Sequence, residues 1–127
     1  MTTLNRDQIL TYADQVIEAV DVPEWGGVIH VRSLTGAQRD QFEASIVERN
    51  GKDVKTNLRN LRARLVVLAA CDETGAPIFR ADDAAALGAK NAAALDRIFT
   101  VAQRLSGLRD DDVKELAENF DETHGDA

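Results

Sequence analysis

Val20-Asp21-Val22-Pro23-Glu24-Trp25-Gly26-Gly27-Val28-Ile29-His30-Val31-Arg32 is the stretch with the clearest local shape. Val20 and Val22 alternate with Asp21, and Val28 to Arg32 is rich in β-branched residues, so both flanks read as strands. Pro23 fixes one φ and withdraws a donor, while Gly26-Gly27 can take the positive φ that a chain reversal needs. A five-residue connection, Pro23 to Gly27, therefore joins two short antiparallel strands. A lone hairpin is marginal in water and needs cover on one face. The rest of the chain, which reads as helical, is the expected cover.

Trp25, the single tryptophan, falls at the tip of this turn. Its ring either folds back over Val22 or Val28, or stands out as an aromatic anchor for a partner protein. Upstream, Arg6 to Tyr12 looks like a short helix opened by Asn5, with Gln8 placed for a capping box, and a strand begins near Ile17. Downstream, Thr35 and Gln38 form a second capping box. The helix they open is expected to run to about Arg49, burying Phe42 and Ile46 and ending at Asn50-Gly51.

The spacing of Val54, Leu58, Leu61, Leu65, Leu68 and Ala69 predicts the longest helix, continuing to Cys71 and becoming almost wholly apolar. Asp72 to Pro77 is a loop, followed by a short extended anchor at Ile78-Phe79. Asp82 caps a short helix through Leu87 that Gly88 closes. Asn91 caps another, with Leu95, Ile98, Phe99, Ala102 and Leu105 on one stripe, ending at Ser106-Gly107. Asp110-Asp111-Asp112 open a last helix with Val113, Leu116, Ala117 and Phe120 on its apolar side. The expectation is a mainly α, α+β fold: a bundle of four to six helices with one N-terminal β-hairpin. Residues 1–120 form a single domain, and 121–127 are a flexible acidic tail.

The 127 residues suit one modest core, built from Leu, Ile, Val and Ala because aromatics supply only 5%. No apolar run is long enough to span a membrane, and no basic-then-apolar leader opens the chain. Cys71 is alone, which excludes an intrachain disulfide and suits a reducing compartment. The net charge of −7 is carried unevenly. Residues 110–127 hold eight acids against Lys114, leaving fourteen of each sign in residues 1–109. Within 49–64, Arg49, Lys52, Lys55, Arg59, Arg62 and Arg64 face only Asp53. An acidic total disfavours a general nucleic-acid coat. The opposed charges suggest weak homo-oligomers, the basic stretch meeting an acidic surface near Asp110 to Glu118.

No catalytic constellation emerges, and the expectation is a protein that is not an enzyme and uses no cofactor or metal. His30 and His124 lack companions at ligand spacing. Asp72-Glu73-Thr74-Gly75 begins like a calcium loop, but Ala76 and Pro77 stand where an oxygen ligand and a turn glycine belong. Ser33, Ser45, Ser106 and Cys71 have no base placed beside them. Gly26-Gly27 precedes a strand, not the helix of a phosphate loop. Capping accounts for Asp82-Asp83 and for Asp110 to Asp112. The basic stretch reads as a solvated face, a nucleic-acid contact or a docking surface; no aromatic interleaving or reader motif supports the second. Trp25, Arg59 and Arg62 are the candidate partner-binding residues.

The order of these pieces resembles the tail assembly chaperones of siphovirus-type phages and prophages. The resemblance is carried by Val22-Pro23-Glu24-Trp25-Gly26-Gly27 with the strand to Arg32, Leu34-Thr35 with Arg39, Asp40 and Phe42, and Leu65 to Glu73. It continues through Phe79, Asp82-Asp83, Leu87, Leu95, Ala102-Gln103-Arg104-Leu105-Ser106-Gly107-Leu108 and the closing stretch to Phe120, covering roughly residues 6–120. It implies a host-cytoplasmic protein absent from the finished virion. Such a protein binds the tape measure protein, keeps it soluble, and helps recruit the tail tube protein through a longer frameshifted form. Two rival classes stay open: a small nucleic-acid-associated or regulatory adaptor, signalled by salt-sensitive duplex binding, and a small enzyme, signalled by a concave polar pocket.

Overall fold

Pro23–Trp25 forms one turn of 3-10 helix and Gly26 follows at φ 74°, its N–H donating to Pro23 O at 3.1 Å. That reversal joins β1 (Ile17–Val22) to β2 (Gly27–Arg32), antiparallel, with Ile17 opposite Arg32 and Val22 opposite Gly27. A two-residue strand from late in the chain, β5 (Ala70–Cys71), adds to the other side of β2, giving the order β1-β2-β5. Val20, Val22 and Val31 point to the core, whereas Ala19, Asp21 and Val28 face outward. The structure, a computed structural model, describes residues 2–108.

The helices are α1 (Arg6–Thr11), α2 (Gly36–Ile46), α3 (Leu61–Ala69), α4 (Ala84–Gly88) and α5 (Ala92–Leu105). Both capping boxes form: Asn5 with Gln8, and Thr35 with Gln38. Asn91 caps α5 by accepting from the Ala94 N–H at 3.0 Å. In the 80–83 turn, Asp83 is the acceptor, taking the Arg80 N–H at 2.8 Å, one residue beyond the expected Asp82. α3 lies at the centre, packed on α5, α4 and α2, and α5 also covers β2 and β1. Phe42, Ile46, Leu65, Val66 and Ile98 are fully buried between them. Two ion pairs tie α5 to the β1–β2 hairpin. Arg97 forks onto Glu24 at 2.8 and 2.9 Å, and Arg104 pairs with Glu18.

The expected helical bundle with a single hairpin is corrected. Among the described residues the five helices share the molecule with two antiparallel sheets. The second sheet is a hairpin of β3 (Val47–Asn50) and β4 (Asp53–Thr56), with Asn50 opposite Asp53. α2 therefore stops at Ile46 rather than Arg49. Asn50-Gly51, read as a helix end, is a hairpin turn, with Gly51 at φ 67°. The helix expected from Val54 to Cys71 keeps only its apolar middle. Its first residues enter β4, and its last two leave the helix because their backbone pairs with His30 and Val31. The expected helix from Asp110 and the tail 121–127 lie outside the described residues.

The Arg97 guanidinium, hydrogen-bonded to the Glu24 carboxylate, holds that carboxyl below the usual glutamate range. A depressed folded value means the contribution is present above the ordinary glutamate range and lost as pH falls through the folded value. Glu24→Gln is accordingly expected to narrow the difference between urea midpoints measured at neutral and at strongly acidic pH, relative to the unmodified chain.

Candidate partner-binding surface

α5 holds both Arg62 and the turn that carries Trp25. Asp96 and Arg97 are neighbours on this helix. Asp96 accepts from Arg62 Nε at 3.0 Å, and Arg97 holds Glu24, next to Trp25. Trp25 is half-buried and packs against the core cluster, so the folded-back reading of its ring accounts for most of the indole. The Arg62 guanidinium also lies 5.7 Å from the centre of the Phe99 ring, a cation–π approach. Arg59 stands apart, exposed in the turn before α3, its N–H donating to Asn57 Oδ1 at 3.1 Å.

Between the start of α3 and the start of α5 runs an open groove of about 380 Å³. Leu58, Leu61 and Leu95 give it an apolar floor, and Arg62 and Lys90 stand on its rim. Leu58 is half exposed, at 51%, an apolar side chain left in water beside two arginines. Asn60, at φ 55°, makes the reversal that opens the groove, and its side chain lies close against Gly88.

The basic run does not form one helical face. Arg49, Lys52 and Lys55 sit on the β3–β4 hairpin, Arg59 in the following turn, and Arg62 and Arg64 on α3. Arg64 is a structural residue. Its guanidinium donates to Ser45 O at 2.6 Å, Ser45 Oγ at 2.8 Å and Asn57 O at 2.5 Å, joining the end of α2 to the strand ends. Burial lowers its pKa, and Nε is enclosed without a hydrogen bond among the described residues. The acidic surface near Asp110 to Glu118 lies outside the described residues.

Sequence reasoning missed the most exposed apolar surface. Nine large apolar side chains are exposed among the described residues; five of them, Leu4, Ile9, Leu10, Tyr12 and Val16, precede the first hairpin, and Ile17 opens it. α1 buries none of its residues. Leu4, Ile9 and Tyr12 line one shallow groove, with Tyr12 75% exposed. The signal was available: Leu4 before the cap and Ile9 four residues after it have the spacing of a hydrophobic staple. A helix this short is marginal alone, and its reciprocal caps (2.9 and 3.0 Å) and the Thr11 hydroxyl on Asp7 O (2.7 Å) hold it.

Other candidate chemistry resolves into local structure. The Asp72 carboxylate accepts from Thr74 N, Thr74 Oγ1 and Ala76 N at 2.6–3.1 Å, which lowers its pKa and folds the 72–76 loop around it. Cys71 is buried, and burial raises the pKa of its thiol; nearby Arg32 opposes that rise and Asp72 adds to it. Among the described residues no group of His, Cys, Asp and Glu is arranged to hold a metal ion, and no helix is long and apolar enough to cross a membrane.

The two arginines of α3 should separate cleanly. Arg62→Glu is expected to move stability by less than about 1 kcal/mol, since the ion pair it breaks is exposed. Arg64→Ala strands two carbonyls and should cost about 2 kcal/mol or more by urea denaturation.

A family model of the phage tail assembly chaperone matches residues 6–124. No curated protein and no solved structure matches the chain.

Proposed function

The chain belongs to the phage tail assembly chaperone family, and from that premise we propose that it binds the tape measure protein, keeps it soluble and helps recruit tail tube subunits in the host cytoplasm. The observation that carries this reading is the uncovered apolar surface of α1. A chaperone of long apolar helices must hold apolar side chains in water until its client arrives, and contiguous exposed patches on soluble proteins mark such contacts. Leu4, Ile9 and Tyr12 offer a helical client a ready face, in the manner of a helix laid against an apolar groove.

The groove at Leu58 is the second contact, with Arg59 and Arg62 beside it selecting the acidic flank of a client helix. Charges in such places set orientation and association rate more than affinity. Trp25 contributes its exposed edge. Because much of its ring serves the core, Trp25→Ala lowers stability as well as binding, and it is the poorer probe. Tail tube recruitment through a longer, frameshifted form belongs to the same reading and draws on the family resemblance alone.

Co-expression of the chain with the tape measure gene tests the proposal. The tape measure protein is expected to be soluble with the chain and to precipitate without it. Ile9→Lys combined with Tyr12→Lys should abolish that rescue. The folded body should keep its circular dichroism and melting point, since α1 buries nothing. A tape measure protein equally soluble with and without the chain, with no complex recovered, would refute the reading.

A further inference from the structure

Among the described residues the outer edge of β1 is left largely unpaired. Ser33 N–H donates to Val16 O at 2.9 Å, which sets the phase of the ladder. Peptide groups of Val16, Glu18, Val20 and Val22 face β2, and those of Ile17, Ala19 and Asp21 face away. β1 ends its sheet on that side. The one hydrogen bond there, among the described residues, is a long one from Arg97 Nη1 to Asp21 O, 3.4 Å. Among the described residues, the N–H and C=O of Ile17 and Ala19 and the N–H of Asp21 meet no hydrogen-bond partner. Several protections of an edge are missing: Ile17–Val22 contains no proline, no lysine and no bulge, and its register with β2 is unbroken. Glu18 is already committed to Arg104.

We propose that this edge pairs with β1 of a second copy of the chain, antiparallel about a twofold axis at Ala19. In that register Ala19 faces Ala19 of the second copy and Ile17 faces Asp21, so each outward donor meets an outward acceptor. The Asp21 carbonyl can accept from both Arg97 and the second strand through its two lone pairs. Charge selects the same alignment. Glu18 falls opposite Val20 and Asp21 opposite Ile17, so no like charges meet. A two-residue slip one way opposes Glu18 to Glu18; a slip the other way opposes Ile17 to Pro23, which has no N–H to give. Ala19 is small and exposed at the axis, so its own side chain does not obstruct the approach. The product is one continuous sheet of six strands, held by backbone bonds and not by the charge split between the basic stretch and residues 110–127.

Sedimentation of the full chain tests this. The unmodified chain is expected to form dimers that persist at high salt. Ala19→Lys and Ala19→Glu each place like charges across the axis and should weaken the dimer at least about tenfold, with unchanged circular dichroism. An equimolar mixture of the two variants should restore it, a result that a misfolded variant cannot give. Ala19→Pro removes an outward N–H without touching the β1–β2 ladder and should also yield monomers. The proposal is overturned by an unmodified chain that stays monomeric at high concentration, by dimers indifferent to both charge variants, or by a mixture that remains monomeric. A monomeric chain whose complex with the tape measure protein is lost on Ala19→Lys overturns it too, in favour of a strand supplied by that protein.

Discussion

Val20, Val22 and Val31 can leave water only if something apolar lies across the inner face of the β1–β2 hairpin, and α5 supplies it. This helix packs on both strands and brings Leu95, Ile98, Phe99 and Ala102 into the same core. A hairpin with a two-residue third strand would not persist alone. Each fully buried Val, Leu, Ile or Phe contributes roughly 1.5–3 kcal/mol of transfer free energy, far more than the exposed ion pairs beside them. Arg97 on Glu24 and Arg104 on Glu18 therefore act chiefly as alignment. They sit two turns apart on α5 and grip the start of β1 and the turn that follows it, so the helix cannot slide along the sheet without breaking both.

The other half of the molecule is built outward from α3. Its apolar middle, Leu65 to Val67, is closed by α5 on one side and by Phe42 and Ile46 of α2 on another. Arg64 solves the problem this creates. Ending α2 at Ile46 and reversing the chain at Asn57 leaves carbonyls facing inward, and one guanidinium with several donors satisfies Ser45 and Asn57 together. A lysine, with its single ammonium, could not hold that fork geometry.

Where the sequence was legible, the signals were local. The Pro23 to Gly27 turn, both capping boxes, the Asn91 cap and the stripe of α5 all follow from side chains within a few residues of one another. Residues 47–56 misled because Asn50-Gly51 serves equally as a helix end or a hairpin turn, and Val54 fits a helical stripe as well as a strand. Ala70 and Cys71 misled for a different reason. Their local preference is helical, and their pairing with β2 is a contact made forty residues away. Arg59 and Arg62 were separated by the same error, since a helix beginning at Leu61 puts one in the turn and the other on the helix. The Leu4–Ile9 spacing marked an apolar pair at α1, but its exposure did not follow from it, because whether Ile9 and Tyr12 are covered depends on where the body lies and not on their own neighbours.

That exposure has a physical logic when set beside the caps. A disordered apolar segment would lose chain entropy each time it bound, whereas α1 is already folded by Asn5, Gln8 and Thr11 before any partner arrives. Preorganisation of this kind raises affinity by cutting the ordering cost. It also carries a hazard, since a rigid apolar face invites aggregation. The chain's net charge of −7 opposes that, keeping copies apart except where their surfaces match in shape and hydrogen bonding. A face of a few side chains on a six-residue helix is small enough for such repulsion to control. It is too small to bind tightly by itself, so engagement of a long helical client calls for several such faces along the client's length.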